Sequence, residues 1–437
     1  MDTIMAPLTP AQPAAVIVLR LSGDVLPLLK YLSLSASRLT PRKATRATFV
    51  SSYNPLITDD VLVVYYKAPN SYTGEDVLEV SFHGNPLIVN TAMMDFTNAG
   101  VRVAEAGEFT RRAYLNGKLT LTQAEGVNSI IRATTDVGVK AAGRVLYGEL
   151  DTIFHDIRTS LIDSLAEVEA VIDFSEELDT PKHIELLARV EAVKERLIGL
   201  LDSYDGLKRA VNGVRVVIAG APNAGKSTLF NKLLGKQRAI VSDEAGTTRD
   251  VLSEAINIQG LALSLSDTAG LRQSESAAER EGVRRAADEV VAADLTLILI
   301  DLNVQNVSRE TLELVENSKA KVIVGTKADL ERKSPYKTDV DISADDAGSL
   351  NKLKELLVSR ARLLLPPDDT LPALLADSQR VECQLALEEL GGINEYISLD
   401  KQAFHLRSAV GALDRTVSAN VAEETLDKLF SKFCIGK

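Results

Sequence analysis

Gly220-Ala221-Pro222-Asn223-Ala224-Gly225-Lys226-Ser227 follows the apolar run Val214 to Ala219 and opens into Thr228-Leu229-Phe230-Asn231-Lys232-Leu233-Leu234. A glycine-rich loop ending in Gly-Lys-Ser, with a strand before it and a helix after it, is the arrangement that wraps phosphates. Backbone N–H groups of the loop and of the helix N-terminus can face the phosphate oxygens. Lys226 can place its charge on the β/γ oxygens, and the Ser227 hydroxyl can ligate Mg²⁺. The flanking elements give the motif a context that a chance match lacks.

Outward from this loop, Val214 to Ala219, Leu261 to Ser266, Leu295 to Leu302, Lys321 to Gly325 and Val340 to Ser343 read as strands separated by helical lengths. That pattern predicts an α/β domain over 211–365, with a parallel sheet covered on both faces. Thr326-Lys327-Ala328-Asp329 follows the fourth of these strands. A carboxylate at Asp329 can accept from guanine N1–H and the exocyclic amine together, an edge adenine does not offer, so GTP is the expected nucleotide. Ser343-Ala344 falls after the next strand, where GTPases place a base-contacting loop. Asn is the more usual first residue of the Thr326 motif; the shorter threonine leaves its bracing of the phosphate loop open. Asp267-Thr268-Ala269-Gly270 closes the strand from Leu261, where Asp267 can hold the metal through water and the Gly270 amide can sense the γ-phosphate. Thr248, within Gly246-Thr247-Thr248-Arg249-Asp250, is placed to close on Mg²⁺. Leu271 stands where Ras-like enzymes carry a water-orienting Gln, so another group must orient the attacking water.

The remaining sequence sets wider limits. A chain of 437 residues allows about two to four domains. Its 45% hydrophobic and 25% charged residues exclude wholesale disorder. Forty-nine Lys+Arg against 61 Asp+Glu leave a net charge of −12, so a nucleic-acid partner needs a local basic patch or a helper protein. Cys383 and Cys434 are too few for a disulfide framework or a four-ligand zinc site. Apolar runs are strand-length, short of the roughly 20 residues of a membrane span, and Met1 to Ala6 lacks the basic and apolar regions of a secretory signal. A cytoplasmic protein with no membrane partner is expected. From about residue 2 to 117, short β-rich runs (Ala15 to Leu21, Val61 to Tyr66, Val77 to Phe82) alternate with helix-like stretches and predict an α+β domain. Residues 120–210 repeat apolar side chains at spacings of three and four, and 378–433 do so again beyond Leu365-Pro366-Pro367-Asp368-Asp369. A helical region split by the α/β domain follows, giving segments 1–118, 119–210, 211–365 and 366–437. His155, His183 and His405 show no ligand spacing.

Several stretches carry a family resemblance: the Asn223-containing loop, Gly246 to Asp250, Asp267-Thr268-Ala269-Gly270-Leu271-Arg272, Asn70 to Glu79, Gly107 to Lys118, and Phe433-Cys434-Ile435-Gly436-Lys437. With these, the whole chain resembles the MnmE (TrmE) family of tRNA wobble-uridine modification GTPases. The resemblance implies a multidomain protein: an α+β N-terminal domain that dimerises and binds 5-formyltetrahydrofolate or methylenetetrahydrofolate, an α-helical central domain, and an inserted Ras-like G domain activated by K⁺-dependent pairing. It implies a homodimer, an FAD-containing MnmG-type partner in a heterotetramer, and a tRNA substrate. That tRNA receives an aminomethyl or carboxymethylaminomethyl group at carbon 5 of the wobble uridine.

Residue by residue, the resemblance assigns K⁺ to Asn223, Ser242, Glu244 and Thr247, the ion replacing an arginine finger. It assigns GTP contacts to Asn223, Ala224, Gly225, Lys226, Ser227, Thr228, Ser242, Thr247, Thr248, Asp267, Gly270, Thr326, Lys327, Asp329, Ser343 and Ala344, with Mg²⁺ on Ser227 and Thr248. Glu279 orients the hydrolytic water and, with Lys226 and Cys434, makes the catalytic set. Arg20, Glu79, Lys118 and Lys437 form the folate site, where cations suit a glutamate tail and a carboxylate suits the pterin N–H edge. Two stretches depart from the family pattern: Pro10-Ala11-Gln12-Pro13-Ala14-Ala15 has lost a cation, and Asn85 replaces a glycine after His83-Gly84. A regulatory or ribosome-assembly GTPase that binds RNA without modifying it accounts for the G domain alone, and leaves the folate-type motifs and the Cys434 segment without a purpose.

Overall fold

The computed structural model describes residues 2–173, 183–235, 253–267, 289–318, 320–366, 374, 376–417 and 423–436. In chain order its elements begin with β1 (Ile4–Pro7), β2 (Val16–Ser22), β3 (Thr45–Val50), β4 (Thr58–Tyr66), β5 (Val77–His83), α1 (Pro86–Asn98), β6 (Arg102–Val103) and α2 (Glu108–Leu115). Helices α3 (Leu121–Arg132), α4 (Asp136–Leu146), α5 (Glu149–Asp173) and α6 (His183–Asn212) follow. Next come β7 (Val214–Gly220), α7 (Lys226–Leu234), β8 (Ser253–Ile258), β9 (Leu261–Asp267), β10 (Leu295–Asp301), α8 (Arg309–Asn317), β11 (Lys321–Thr326), β12 (Val340–Asp341) and α9 (Ala347–Arg362). The last are α10 (Asp377–Gly391), α11 (Leu399–Val417) and α12 (Glu423–Phe430). Two compact units result: Met1–Asn128, Val145–Lys194 and Val381–Lys437 in one, Ser129–Arg144 and Glu195–Arg380 in the other.

The first unit holds a sheet of order β3-β4-β5-β2-β1-β6, antiparallel throughout except for the β1–β6 pair. Along β4, buried Asp59, Val61, Val63 and Tyr65 alternate with more exposed Asp60, Leu62, Val64 and Tyr66, the period-2 pattern of a sheet with one face on a core. That core gathers Leu19, Leu21, Phe49, Val63 and Phe82 with Val89 and Phe96 of α1. Asn85 starts α1: its side chain accepts from the Leu87 amide, and Pro86 sits at the first turn. Both sequence departures meet here, since the Ala14 amide donates to Gly84 O at 3.0 Å and the Gly84 amide to Ala15 O at 3.2 Å. Helices α5 and α11 pack against each other, tied by Arg158 and Asp414 at 2.5 Å. Strands β1, β3 and β6 add to the three runs read from the sequence; β1 has only four residues and β6 two, too short to show alternation.

The second unit is built on a sheet of order β12-β11-β10-β7-β9-β8. Its five strands read from sequence are parallel, and their inward side chains, such as Val216, Ile218, Leu297, Leu299, Val322 and Val324, are fully buried. The expectation of a wholly parallel sheet is corrected at one edge, where β8 pairs antiparallel with β9. Ile258 faces Leu261 across a two-residue turn, Gln259-Gly260, in which both residues have positive φ (53° and 82°), the geometry of a tight hairpin.

Candidate functional site

The phosphate loop lies at the carboxyl end of β7, between neighbours β9 and β10. Asn223 adopts a left-handed conformation (φ 62°), and Gly225 (φ 92°) caps α7 at its N-terminus. The Lys226 ammonium donates to Gly220 O at 2.9 Å and Ala221 O at 2.8 Å, so the loop's own carbonyls hold the cation at its mouth. Thr326, at the end of β11, is buried and donates through Oγ1 to Ala224 O at 2.8 Å. The brace that the sequence left open is therefore made by the shorter side chain. Lys327 pairs through Nζ with Asp301 Oδ2 at 2.6 Å, and Asp301 faces Thr326 across the β10–β11 register.

A cavity of about 260 Å³ joins these parts, lined among others by Gly225, Thr228, Lys327, Asp329, Ser343 and Ala344. Residues predicted from three separate stretches of sequence thus share one crevice at the carboxyl ends of parallel strands, the position at which open α/β sheets bind ligands. Asp267 closes β9 opposite Ile218. Ser242, Glu244, Thr247, Thr248, Gly270, Leu271, Glu279 and Lys437 lie outside the described residues. Asp301 was not foreseen; its signal is its place at the end of a buried apolar strand, where a carboxylate is out of pattern.

A second cluster lies in the first unit. Arg20 on β2 and Glu79 on β5 face each other in register, and Arg20 donates from Nε at 3.0 Å and Nη2 at 2.7 Å to Glu79 Oε1. The guanidinium carbon lies 5.1 Å from the Tyr72 ring centroid and 5.7 Å from that of Phe109. Tyr66 donates its hydroxyl to Glu79 Oε2 at 3.4 Å. Burial raises the Tyr66 phenol above its ordinary pKa, with the Glu79 charge adding to the shift. Lys118 points its ammonium at Pro69 O, 3.0 Å away, on the loop after β4.

The segment after α12 returns to this cluster. Ile435 forms an antiparallel bridge with Ala106, Phe430 and Phe433 pack on Tyr114 and Ala124, and Cys434 is half-buried between them and the bridge. Close approach explains two glycines: a Cβ at Gly107 would lie 2.6 Å from Phe430 O, and one at Gly436 (φ 98°) 2.4 Å from Pro7 O. Pro7 and Ala6 face Leu19 and Arg20 across β1 and β2. The structure therefore brings Arg20 and Glu79 together and carries the Cys434 segment to the neighbouring strand. Tyr66, Tyr72 and Phe109 were not singled out in the sequence, because isolated aromatics in a half-buried sheet look like core.

A phosphate loop, a Thr-Lys-x-Asp loop and their shared crevice define a P-loop nucleotide-binding protein of the GTP-specific class. A family model described as the GTP-binding protein TrmE N-terminus matches residues 3–118, and one described as the MnmE helical domain matches residues 121–434. Curated proteins named tRNA modification GTPase MnmE align over their full lengths with 100% of this chain: from Aquifex aeolicus at 38% identity over 451 residues and from Thermotoga maritima at 37% over 454. The Akkermansia muciniphila protein of that name is 36% identical over 447 residues, with 99% of it covered. The chain belongs to the MnmE (TrmE) family of tRNA modification GTPases, and it is an enzyme that binds GTP with Mg²⁺ and hydrolyses it. Among the described residues, no helix is long and apolar enough to cross a membrane.

Proposed function

We propose that this GTPase works as a homodimer with an FAD-containing MnmG-type partner to install an aminomethyl or carboxymethylaminomethyl group at carbon 5 of the tRNA wobble uridine. The one-carbon unit comes from 5-formyltetrahydrofolate or methylenetetrahydrofolate held by the first unit. One observation carries the reading: Arg20 and Glu79 form an aromatic-lined polar pair on β2 and β5, and the Cys434 segment is seated on the adjoining strand β1. Glu79 Oε1 takes both Arg20 donors, so Oε2, beside the Tyr66 hydroxyl, is the oxygen turned toward a pterin N–H edge. Half-buried Tyr72 supplies an apolar face to a ring, fully buried Phe109 backs the Arg20 guanidinium, and Lys118 and Lys437 supply charge to a glutamate tail. Methylenetetrahydrofolate supplies a carbon already at the oxidation level of the transferred methylene; a formyl carbon is two electrons more oxidised, and reduced FAD on the partner has to supply them.

In the second unit, Asp329 reads guanine, Thr326 fixes the loop, and Lys226 exchanges its two carbonyl contacts for phosphate oxygens. Ser227 holds Mg²⁺, Thr248 closes on it, and Glu279 orients water. K⁺ on Asn223, Ser242, Glu244 and Thr247 supplies the positive charge that an arginine finger gives other GTPases. Mass spectrometry of wobble nucleosides from cells lacking the gene, and from cells with it restored, tests the reading. Carbon-5 aminomethyl-type uridines should vanish and return. Unchanged nucleosides overturn it and leave a GTPase that binds RNA without modifying it.

A further inference from the structure

The chain's net charge of −12 hides a strong local reversal. Residues 25–58 contain five cations, Lys30, Arg38, Arg42, Lys43 and Arg46, and no Asp or Glu. All five are exposed, as is Lys67 at the end of β4. Among the described residues, only Arg46 of these six has a carboxylate partner, Asp60. A solvated basic face is the ordinary explanation of such a stretch, but this one is held in place. The Arg42 amide donates to Tyr65 O at 2.8 Å and its guanidinium to Asn70 O at 2.9 Å. Arg42 does so in a left-handed conformation (φ 64°) that suits glycine better than arginine. These bonds set the Arg42-Lys43 turn against the Lys67–Asn70 loop, beside which lies Asp76. Both Asp76 oxygens are taken, by the Tyr65 hydroxyl and the Ala68 amide, each at 2.8 Å.

The patch adjoins the second cluster. Arg42 lies 5.9 Å from the Tyr66 ring, and Tyr66 in turn touches Glu79. We propose that Arg38, Arg42, Lys43 and Lys67 dock the phosphate backbone of the substrate tRNA and so hold it beside the Arg20–Glu79 site. This rests on the tRNA-modification reading above and adds to it the surface that receives the RNA. A phosphate backbone is favoured over an acidic protein face because the residues that separate these cations offer no free large apolar or aromatic anchor for a protein interface: Thr40, Pro41, Ala44 and Thr45 are small, and Leu39 packs against the core. Backbone contacts position a nucleic acid without reading its sequence.

The test uses the full-length protein, unmodified tRNA transcript and fluorescence anisotropy across a NaCl series. Each phosphate contact adds about 0.7 to 0.9 to the slope of log affinity against log salt, which is roughly five- to eightfold in affinity at 0.1 M salt against a 1 M reference. The Arg38→Ala/Lys43→Ala/Lys67→Ala variant should lose about 2 to 3 from the slope and roughly 100- to 500-fold in affinity at 0.1 M salt. Its GTP turnover and folate binding should stay at the parent values, and Lys43→Arg/Lys67→Arg should bind tRNA as the parent does. Parent-like binding and slope in the triple variant overturn the surface while leaving the tRNA reading intact. So does a variant that keeps tRNA but loses the FAD-containing partner. A parent protein that binds no tRNA, alone or with that partner, overturns both.

Discussion

Replacing Thr326 by Val deletes one hydroxyl from the nucleotide crevice and preserves the side chain's shape. Thr326 Oγ1 lies 2.8 Å from Ala224 O and 3.3 Å from Ile300 O. A hydroxyl carries a single proton, and the shorter contact takes it. Thr326 is 5% exposed and Ala224 2%, so water does not replace the lost donor, and an unsatisfied buried carbonyl costs about 1–3 kcal/mol. Ala224 immediately precedes Gly225 and Lys226, so the loop relieves that penalty by shifting the N–H groups that face the phosphates. With about 1–2 kcal/mol appearing in ligand binding, GDP and GTP affinity should fall roughly 5- to 30-fold. Thr326→Ser, which keeps the hydroxyl, should stay near the parent value. Titration of a fluorescent guanine nucleotide measures both variants. A Val variant binding within twofold of the parent refutes the brace and leaves the Thr326 contact as incidental packing.

If pairing of G domains completes a K⁺ site, as proposed above, GTP hydrolysis should be much faster in K⁺ than in Na⁺ and should rise with protein concentration; equal turnover in the two salts refutes the K⁺ assignment. Gly436→Ala places a Cβ 2.4 Å from Pro7 O, so the segment must lift. Cys434 should then react faster with a thiol reagent and wobble-uridine modification should fall while GTP turnover holds; unchanged labelling and modification contradict this. The hydrogen bond that the His83 Nδ1–H donates to the Asp59 carboxylate raises the pKa of exposed His83. The folded state therefore favours the protonated ring, and its contribution is full below the ordinary value near 6.5 and fades as pH rises through the higher folded one. Melting temperature followed across that range should fall less with pH for His83→Gln than for the parent, and identical profiles sink the assignment.

What the sequence disclosed follows physical lines. Buried parallel strands such as Leu295 to Asp301 are continuous apolar runs, and the loop after Ala219 is punctuated by glycines that a phosphate requires, so the second sheet and its crevice were legible. Strand β8 was not, because Ser253–Ile258 at a sheet edge mixes polar and apolar residues, although Gln259-Gly260 is a hairpin signal in retrospect. The Arg20–Glu79 pair was reachable only by resemblance, since either residue alone reads as surface charge. Its aromatic setting and the seat of the Cys434 segment depend on contacts between residues more than 50 positions apart, such as Phe109 with Arg20, which no local pattern encodes. The Thr326 brace shows the opposite limit: the motif was visible, and only distance could say that a threonine reaches.

The seating of Phe430 and Phe433 has a consequence for biosynthesis. Tyr114, Leu121 and Ala124 are covered by α12 and the residues after it, yet those residues are synthesised roughly 300 positions later. At translation rates of about 5–20 residues per second, the apolar seat waits on the order of 15 to 60 s for its cover. During that interval it is a sticky surface beside an already folded sheet, and a chain whose synthesis stops early never hides it. Messenger truncation or ribosome stalling therefore yields a product marked for chaperones and proteases by its own uncovered aromatics, before any defect in GTP turnover is felt.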